Sequence, residues 1–220
     1  MKYLTFPIII LNPGPAHIKD VLSNAMDYCL YCEYLKQEGS HLERSKLAAK
    51  ELGLRFSGLE SAVKNGRCLF DSIPEGSPKT SIDKDRIFDF YKQGRDEFEI
   101  VCFLAYAALR SIIQKQSCKK VTNDYLLSRM AGNSKKDEAL PEWLKKYQKE
   151  YWLNKIKDEL QISHWGLKYY SHYTRGFWVS FSMDLEKLTF YAEKQRKEYK
   201  IRQLKKLKTE ARKAALNALQ

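Results

Sequence analysis

Two stretches decide the fold of this 220-residue chain: PEWLKKYQKEYWLNKIKDEL, residues 141–160, and WGLKYYSHYTRGFWVSFSM, residues 165–183. Pro141 suits the first turn of a helix, where its missing amide would have no acceptor anyway. Leu144, Tyr147, Tyr151 and Ile156 return along the first stretch and predict one helix running to about Leu160, with Lys145, Lys146, Lys149 and Lys155 exposed. The second stretch is aromatic and β-branched and is interrupted by Tyr173-Thr-Arg-Gly176. It predicts a β-hairpin with Arg175 at its tip.

Upstream, the apolar run Glu97–Gln114 predicts a buried helix, Lys119–Thr122 a short strand, and Asn123–Ala131 a capped helix closed by Gly132. A polar turn, 133–139, carries Lys135 and Lys136. The order over residues 95–183 is helix, short strand, helix, basic helix and hairpin. It resembles the winged-helix superfamily of DNA-binding folds. Similar tandem arrangements occur in plasmid and phage replication initiators and in regulators. The resemblance is to a fold, without a family-specific motif, and the turn from Gly132 to Leu140 is long for a helix-turn-helix connection. It implies a core of Ile100, Val101, Phe103, Leu104, Leu126, Leu127, Leu144, Tyr147, Tyr151 and Ile156. It also implies that helix 141–160 reads DNA and that Arg175 enters a minor groove or meets phosphate. Lysines give salt-sensitive attraction with little sequence preference. Specific readout would therefore fall to Arg129, Asn133, Gln148, Asn154 and Arg175.

Charge supports the same half. Residues 1–114 hold 15 Lys/Arg and 15 Asp/Glu, whereas residues 115–220 hold 24 and 12, which accounts for the whole net charge of +12. Such asymmetry points to a polyanion-facing region joined to a neutral one. Residues 184–220 contain neither Gly nor Pro and predict a long basic helix with Ile201, Leu204, Leu207 and Ala211 on one stripe. That helix reads as a dimerisation element, as a basic arm along DNA, or as a solvated helix packed only at its start.

The neutral half is also helical. Tyr3–Leu11 predicts a strand or buried extended segment, and Ala16–Lys36 a helix. Ser40-His-Leu-Glu43 and Ser57-Gly-Leu-Glu60 both have capping-box form, and they open helices ending at Gly53 and near Asn65-Gly66. Residues 45–64 resemble the bacterial helix-turn-helix pattern, with Ala49, Gly53, Leu54, Leu59 and Ala62 at matching spacings. The resemblance implies that Ser57, Ser61 and Lys64 face a major groove, with Arg55 and Arg67 near phosphates. An ordinary helical hairpin needs the same small and apolar residues, and the neutral charge favours it. Residues 71–81 read as a linker, and a further helix is predicted from about Ile82 to Gln93.

The expected architecture is therefore mainly α, in three parts. Residues 1–81 form an N-terminal helical domain, 82–183 a winged-helix-like domain and 184–220 a basic C-terminal helix. No apolar run approaches the ~20 residues of a membrane span, and Phe6–Leu11 is too short for a signal peptide's apolar region. Five irregularly spaced cysteines fit a reducing cytoplasm. Cys29-Leu-Tyr-Cys32 has metal or redox spacing but no second pair, so no metal is assigned, and no cofactor motif is present. Asp83, Asp85 and Asp89 could form a nuclease-like acid cluster, yet acids in a first helical turn have a dipole reason. Arg110, His172, Arg175 and a following Tyr191 or Tyr199 loosely resemble the tyrosine-recombinase set. Ala108 stands where that family has glycine, and His172 lies in a hairpin where a helix is expected.

No catalytic residue is assigned. The expectation is a non-catalytic duplex-DNA-binding protein, a regulator or replication-initiation accessory, without membrane association, with homodimerisation through the last helix as one option. A helical interaction module with a basic face is the rival. RNA binding is a third reading, because Tyr169, Tyr170, Tyr173, Phe177 and Trp178 are able to stack unpaired bases.

Overall fold

The computed structural model describes residues 2–92, 94–135, 139–162, 165–171 and 176–217. They form a mainly helical protein with two small antiparallel sheets. Strand β1, Tyr3–Pro7, turns Leu4 and Phe6 inward and pairs with β2, Lys79–Asp83, setting Leu4 opposite Ile82 and Phe6 opposite Thr80. Beyond β1 the expected extended segment tightens into a 3-10 turn, Ile8–Leu11. β2 occupies positions predicted as linker and helix start. Lys-Thr-Ser-Ile-Asp has little strand character of its own, and antiparallel pairing with Tyr3–Pro7, centred on Thr5 opposite Ser81, supplies it. The expected boundary between residues 81 and 82 therefore falls inside a strand.

Three helices lie between the strands: α1, Ile18–Tyr34; α2, His41–Leu52; and α3, Leu59–Ser72. The reciprocal Ser40–Glu43 capping box is formed at α2, and Gly53 ends that helix in the left-handed region at φ 62°. α3 departs from expectation twice. Gly58, not Ser57, stands at its N-cap without a side-chain bond, and the Ser61 hydroxyl donates to the Gly58 carbonyl at 2.9 Å. The helix also continues through Gly66. A Cβ there would lie 2.1 Å from the Asp27 carbonyl oxygen, so Gly66 marks a close backbone crossing of α3 on α1.

Helix α4, Lys84–Lys92, leads to α5, Glu97–Ile113, which opens with an Asp96–Glu99 capping box. Every residue from Ile100 to Leu109 is buried, the signature of a helix surrounded by protein. The Thr80 hydroxyl donates to the Ala107 carbonyl at 2.8 Å and ties β2 to it. One apolar cluster runs from Leu4 to Val179, so residues 1–81 and 82–183 share a core.

The second half continues with β3, Lys119–Val121, and α6, Asn123–Met130, whose cap is the Thr122 hydroxyl accepting from the Tyr125 amide. The helix predicted over 141–160 is broken. It comprises α7, Glu142–Lys145, a 3-10 turn, Lys146–Gln148, an extended Lys149 at φ −65° and ψ 137°, and α8, Glu150–Ile162. The break resets the helical phase. Leu153, Ile156 and Leu160 face inward, and Tyr151, expected in the core, is 68% exposed. β4, Lys168–Tyr170, and β5, Phe177–Ser180, complete a three-stranded sheet of order β3-β5-β4, with Val121 opposite Phe177 and Tyr169 opposite Val179. Helix α9, Leu185–Asn217, crosses this sheet and runs on.

Candidate nucleic-acid interface

The lysines of residues 141–160 do not form one basic ridge. Lys145 and Lys146 precede α8 and are ion-paired, Lys145 with Glu142 and Lys146 with Glu97 at 2.6 Å. The Glu97 bond holds the Lys146 ammonium above its ordinary pKa. Lys149 is exposed at the break, and Lys155 is exposed on α8 with its ammonium 4.6 Å from the centre of the Phe98 ring. α8 itself carries Lys155 and Lys157 against Glu150, Asp158 and Glu159. Its solvent face, Tyr151, Asn154, Lys155 and Asp158, is polar and charge-mixed rather than basic.

Arg129 is inside the protein at 5% exposure. Its guanidinium donates to the Tyr125 hydroxyl at 2.7 Å and lies near the Ser134 carbonyl at 3.4 Å. Its side chain is buried between α6 and the turn that follows, so it does not present the base-reading surface expected of it. Lys135 is exposed in the same turn, and its carbonyl accepts from the Ser128 hydroxyl. Lys136 and Arg175 lie outside the described residues, as do His164, His172 and Tyr173.

In the first half, Arg55, Ser57 and Ser61 are exposed and border one shallow cleft with Asp27, Asn65 and Tyr91. Asn65 donates to the Asp27 carboxylate at 2.8 Å, and burial pushes that carboxyl's pKa up. Lys64 is exposed on α3 but does not border the cleft. α3 packs chiefly on α1, so these residues form a mixed-charge patch on a three-helix unit.

The large positive surface is α9. Residues 185–217 hold eleven Lys/Arg against four Glu. The first half of the helix is anchored: Leu188 and Ala192 are buried, Tyr191 meets the Trp178 ring edge-on at 5.4 Å, and the Tyr170 hydroxyl donates to Glu193 at 2.9 Å. Residues 199–213 are exposed at every position. Arg196, Arg202 and Lys206 pair with glutamates of the helix and Lys187 with Asp184, and the other cations of 185–213 have no acidic partner among the described residues. Charge counted helix by helix, instead of by spacing within 141–160, is the sequence signal that leads to this surface.

Two clefts meet at Gly176, the residue just before β5. One, of about 510 Å³, lies between the sheet and α9 and sets Tyr170, Trp178 and Tyr199 beside Lys120, Arg196 and Arg202. The other lies between the hairpin and the first turns of α6 and α8. Tyr169 and Phe177 face α8 whereas Tyr170 and Trp178 face α9, so the two helices lie on opposite faces of the sheet and Gly176 borders a cleft on each side.

The remaining candidates have structural surroundings. The Cys29 thiol donates to the Thr5 carbonyl, and burial pushes its pKa up to about 12, away from the thiolate a metal needs. Asp89 is paired with Arg95, and Asp83 accepts from the Asp85 amide. Arg110 lies against the Phe181 ring and near the Ser81 carbonyl. Among the described residues no helix is long and apolar enough to cross a membrane. Comparison with models of known families, with curated proteins and with solved structures returns no match to this chain.

Proposed function

We propose that this protein binds duplex DNA without catalysing a reaction on it, as a regulator or replication-initiation accessory. In this reading residues 95–183 act as a winged helix and α9 as a basic arm. The observation that carries it is that the cleft along the cationic half of α9 and the cleft at the first turns of α6 and α8 flank the same β4–β5 hairpin and share Gly176. The winged-helix assignment is supported by the order α5-β3-α6-α8-β4-β5 and by the sheet order β3-β5-β4, which sets α8 beside a hairpin. α8 then enters the major groove with Tyr151, Asn154 and Lys155, while α9 supplies the phosphate attraction that α8 lacks. Titration of labelled duplex at several salt concentrations tests the proposal. Binding that weakens steeply with salt is expected, and absence of binding at low salt refutes it.

A second reading rests on a separate observation. Ile201, Leu204 and Leu207 are each more than half exposed on one stripe of α9, which suits a helical protein partner or a second copy. Purification separates the readings. Co-purifying nucleic acid raises absorbance at 260 nm, whereas a protein partner or dimer changes the mass seen by light scattering.

A further inference from the structure

The cleft between α6, α8 and the root of the hairpin has a cavity volume of about 460 Å³ and is lined by Asn123, Asp124, Glu150, Asn154, Lys157 and Ser171, among others. Lys157 is the unusual member. It is 5% exposed, on the same helix as the buried Leu153, Ile156 and Leu160. Its ammonium lies 4.9 Å from the centre of the Phe177 ring and 5.7 Å from that of Tyr169, with no ion pair or hydrogen bond to a described residue. Burial pushes its pKa down, opposed by the charges of Asp158 and Glu150. A buried cation without a bonded counter-charge destabilises a fold, and an apolar residue of similar length would fill the site without that cost.

What surrounds Lys157 suits an anion. The first turns of α6 and α8 border the cleft; the Thr122 hydroxyl and the Lys149 carbonyl take the Tyr125 and Trp152 amides, and the amides ahead of these have no acceptor within their helices. Asn123, Asn154 and Ser171 add side-chain donors. The acids of the cleft, Asp124 and Glu150, are exposed at its rim, while Lys157 is buried. We propose that this cleft takes a phosphate group, held by the Lys157 ammonium and the donors of Asn123, Asn154 and Ser171. The inference rests on the DNA reading only for the source of the phosphate, a backbone phosphodiester rather than a free phosphate.

The test uses the full chain, Lys157→Met, and Asn154→Asp, which adds a carboxylate at an exposed position of the rim. Thermal unfolding is followed with inorganic phosphate against chloride at constant ionic strength. At ten times its dissociation constant, phosphate should raise the wild-type Tm by about 3–6 °C. Lys157→Met should melt above the wild type without phosphate and not respond to it. Asn154→Asp should keep the wild-type Tm and lose the response. In duplex titrations both variants should lower the slope of log affinity against log salt by about 0.9, one phosphate's worth. A phosphate response with an unchanged slope supports the cleft and assigns it to a free phosphate. A changed slope alone assigns it to the phosphodiester. If Lys157→Met responds as the wild type does, or neither response nor slope changes, the inference is overturned whether or not duplex binds. A wild type that answers phosphate but not duplex overturns the DNA reading and leaves the cleft standing.

Discussion

Cutting the chain after Glu198 removes residues 199–220, and with them seven Lys/Arg and one Glu. None of the side chains from 199 to 213 enters the core, and even Leu204 and Leu207 are 59% and 60% exposed. Loss of such a surface changes stability by about 0.5 kcal/mol or less, so the Tm should move by no more than about 2 °C. Binding should respond very differently. Each phosphate neutralised contributes about 0.9 to the salt slope, and a helix lying along a duplex turns roughly half of its cations toward it. Three lost contacts lower the slope by about 2.7 and the affinity at 0.1 M salt by roughly 500-fold. Fluorescence anisotropy on a labelled duplex between about 50 and 300 mM salt gives the slope, and circular dichroism gives the Tm. A slope change smaller than about 1 with an intact Tm refutes the assignment of α9 to phosphate. A Tm loss of more than about 5 °C shows instead that the second half of the helix is packed.

Three further outcomes test the fold on which the interface is built. Gly66→Ala gains up to about 1 kcal/mol of helix propensity but forces a Cβ against the Asp27 carbonyl, so a net loss of about 1–2 kcal/mol is expected by urea unfolding; a gain would show that α3 and α1 do not cross there. Ile156→Ala should cost about 2–4 kcal/mol and Tyr151→Ala less than about 1, whereas a continuous helix 141–160 with both residues in the core would make the two costs comparable. Burial raises the folded-state pKa of Asp27, so ionisation at neutral pH disfavours the fold and protonation relieves it as pH falls through that raised value toward 3.8. Asp27→Asn should therefore melt above the wild type at pH 7, with the gap closing toward pH 4; a gap independent of pH excludes this cause.

Local chemistry was legible wherever neighbours in sequence are neighbours in space. The Ser40–Glu43 box, the left-handed stop at Gly53, the buried helix around Ile100–Leu109 and the hairpin strands flanking Gly176 each depend on a few adjacent residues. The excess charge of 115–220 was equally plain, because counting needs no coordinates. Its location was not. The lysines at 145 and 146 look free until Glu97, nearly fifty residues earlier, is brought beside one of them, and Arg129 looks available until its turn closes over it.

The mainly helical class, most helix starts and stops, and the basic second half can be read from the residues alone. These follow from capping, periodicity and net charge, all short-range or additive properties. Only the tertiary structure decided that Lys79–Asp83 is a strand, that Gly66 is a crossing rather than a stop, and that the lone cation Lys157 is buried beside the hairpin. Each of these depends on a partner distant in the chain, whose approach costs loop entropy and is repaid only when the whole core assembles.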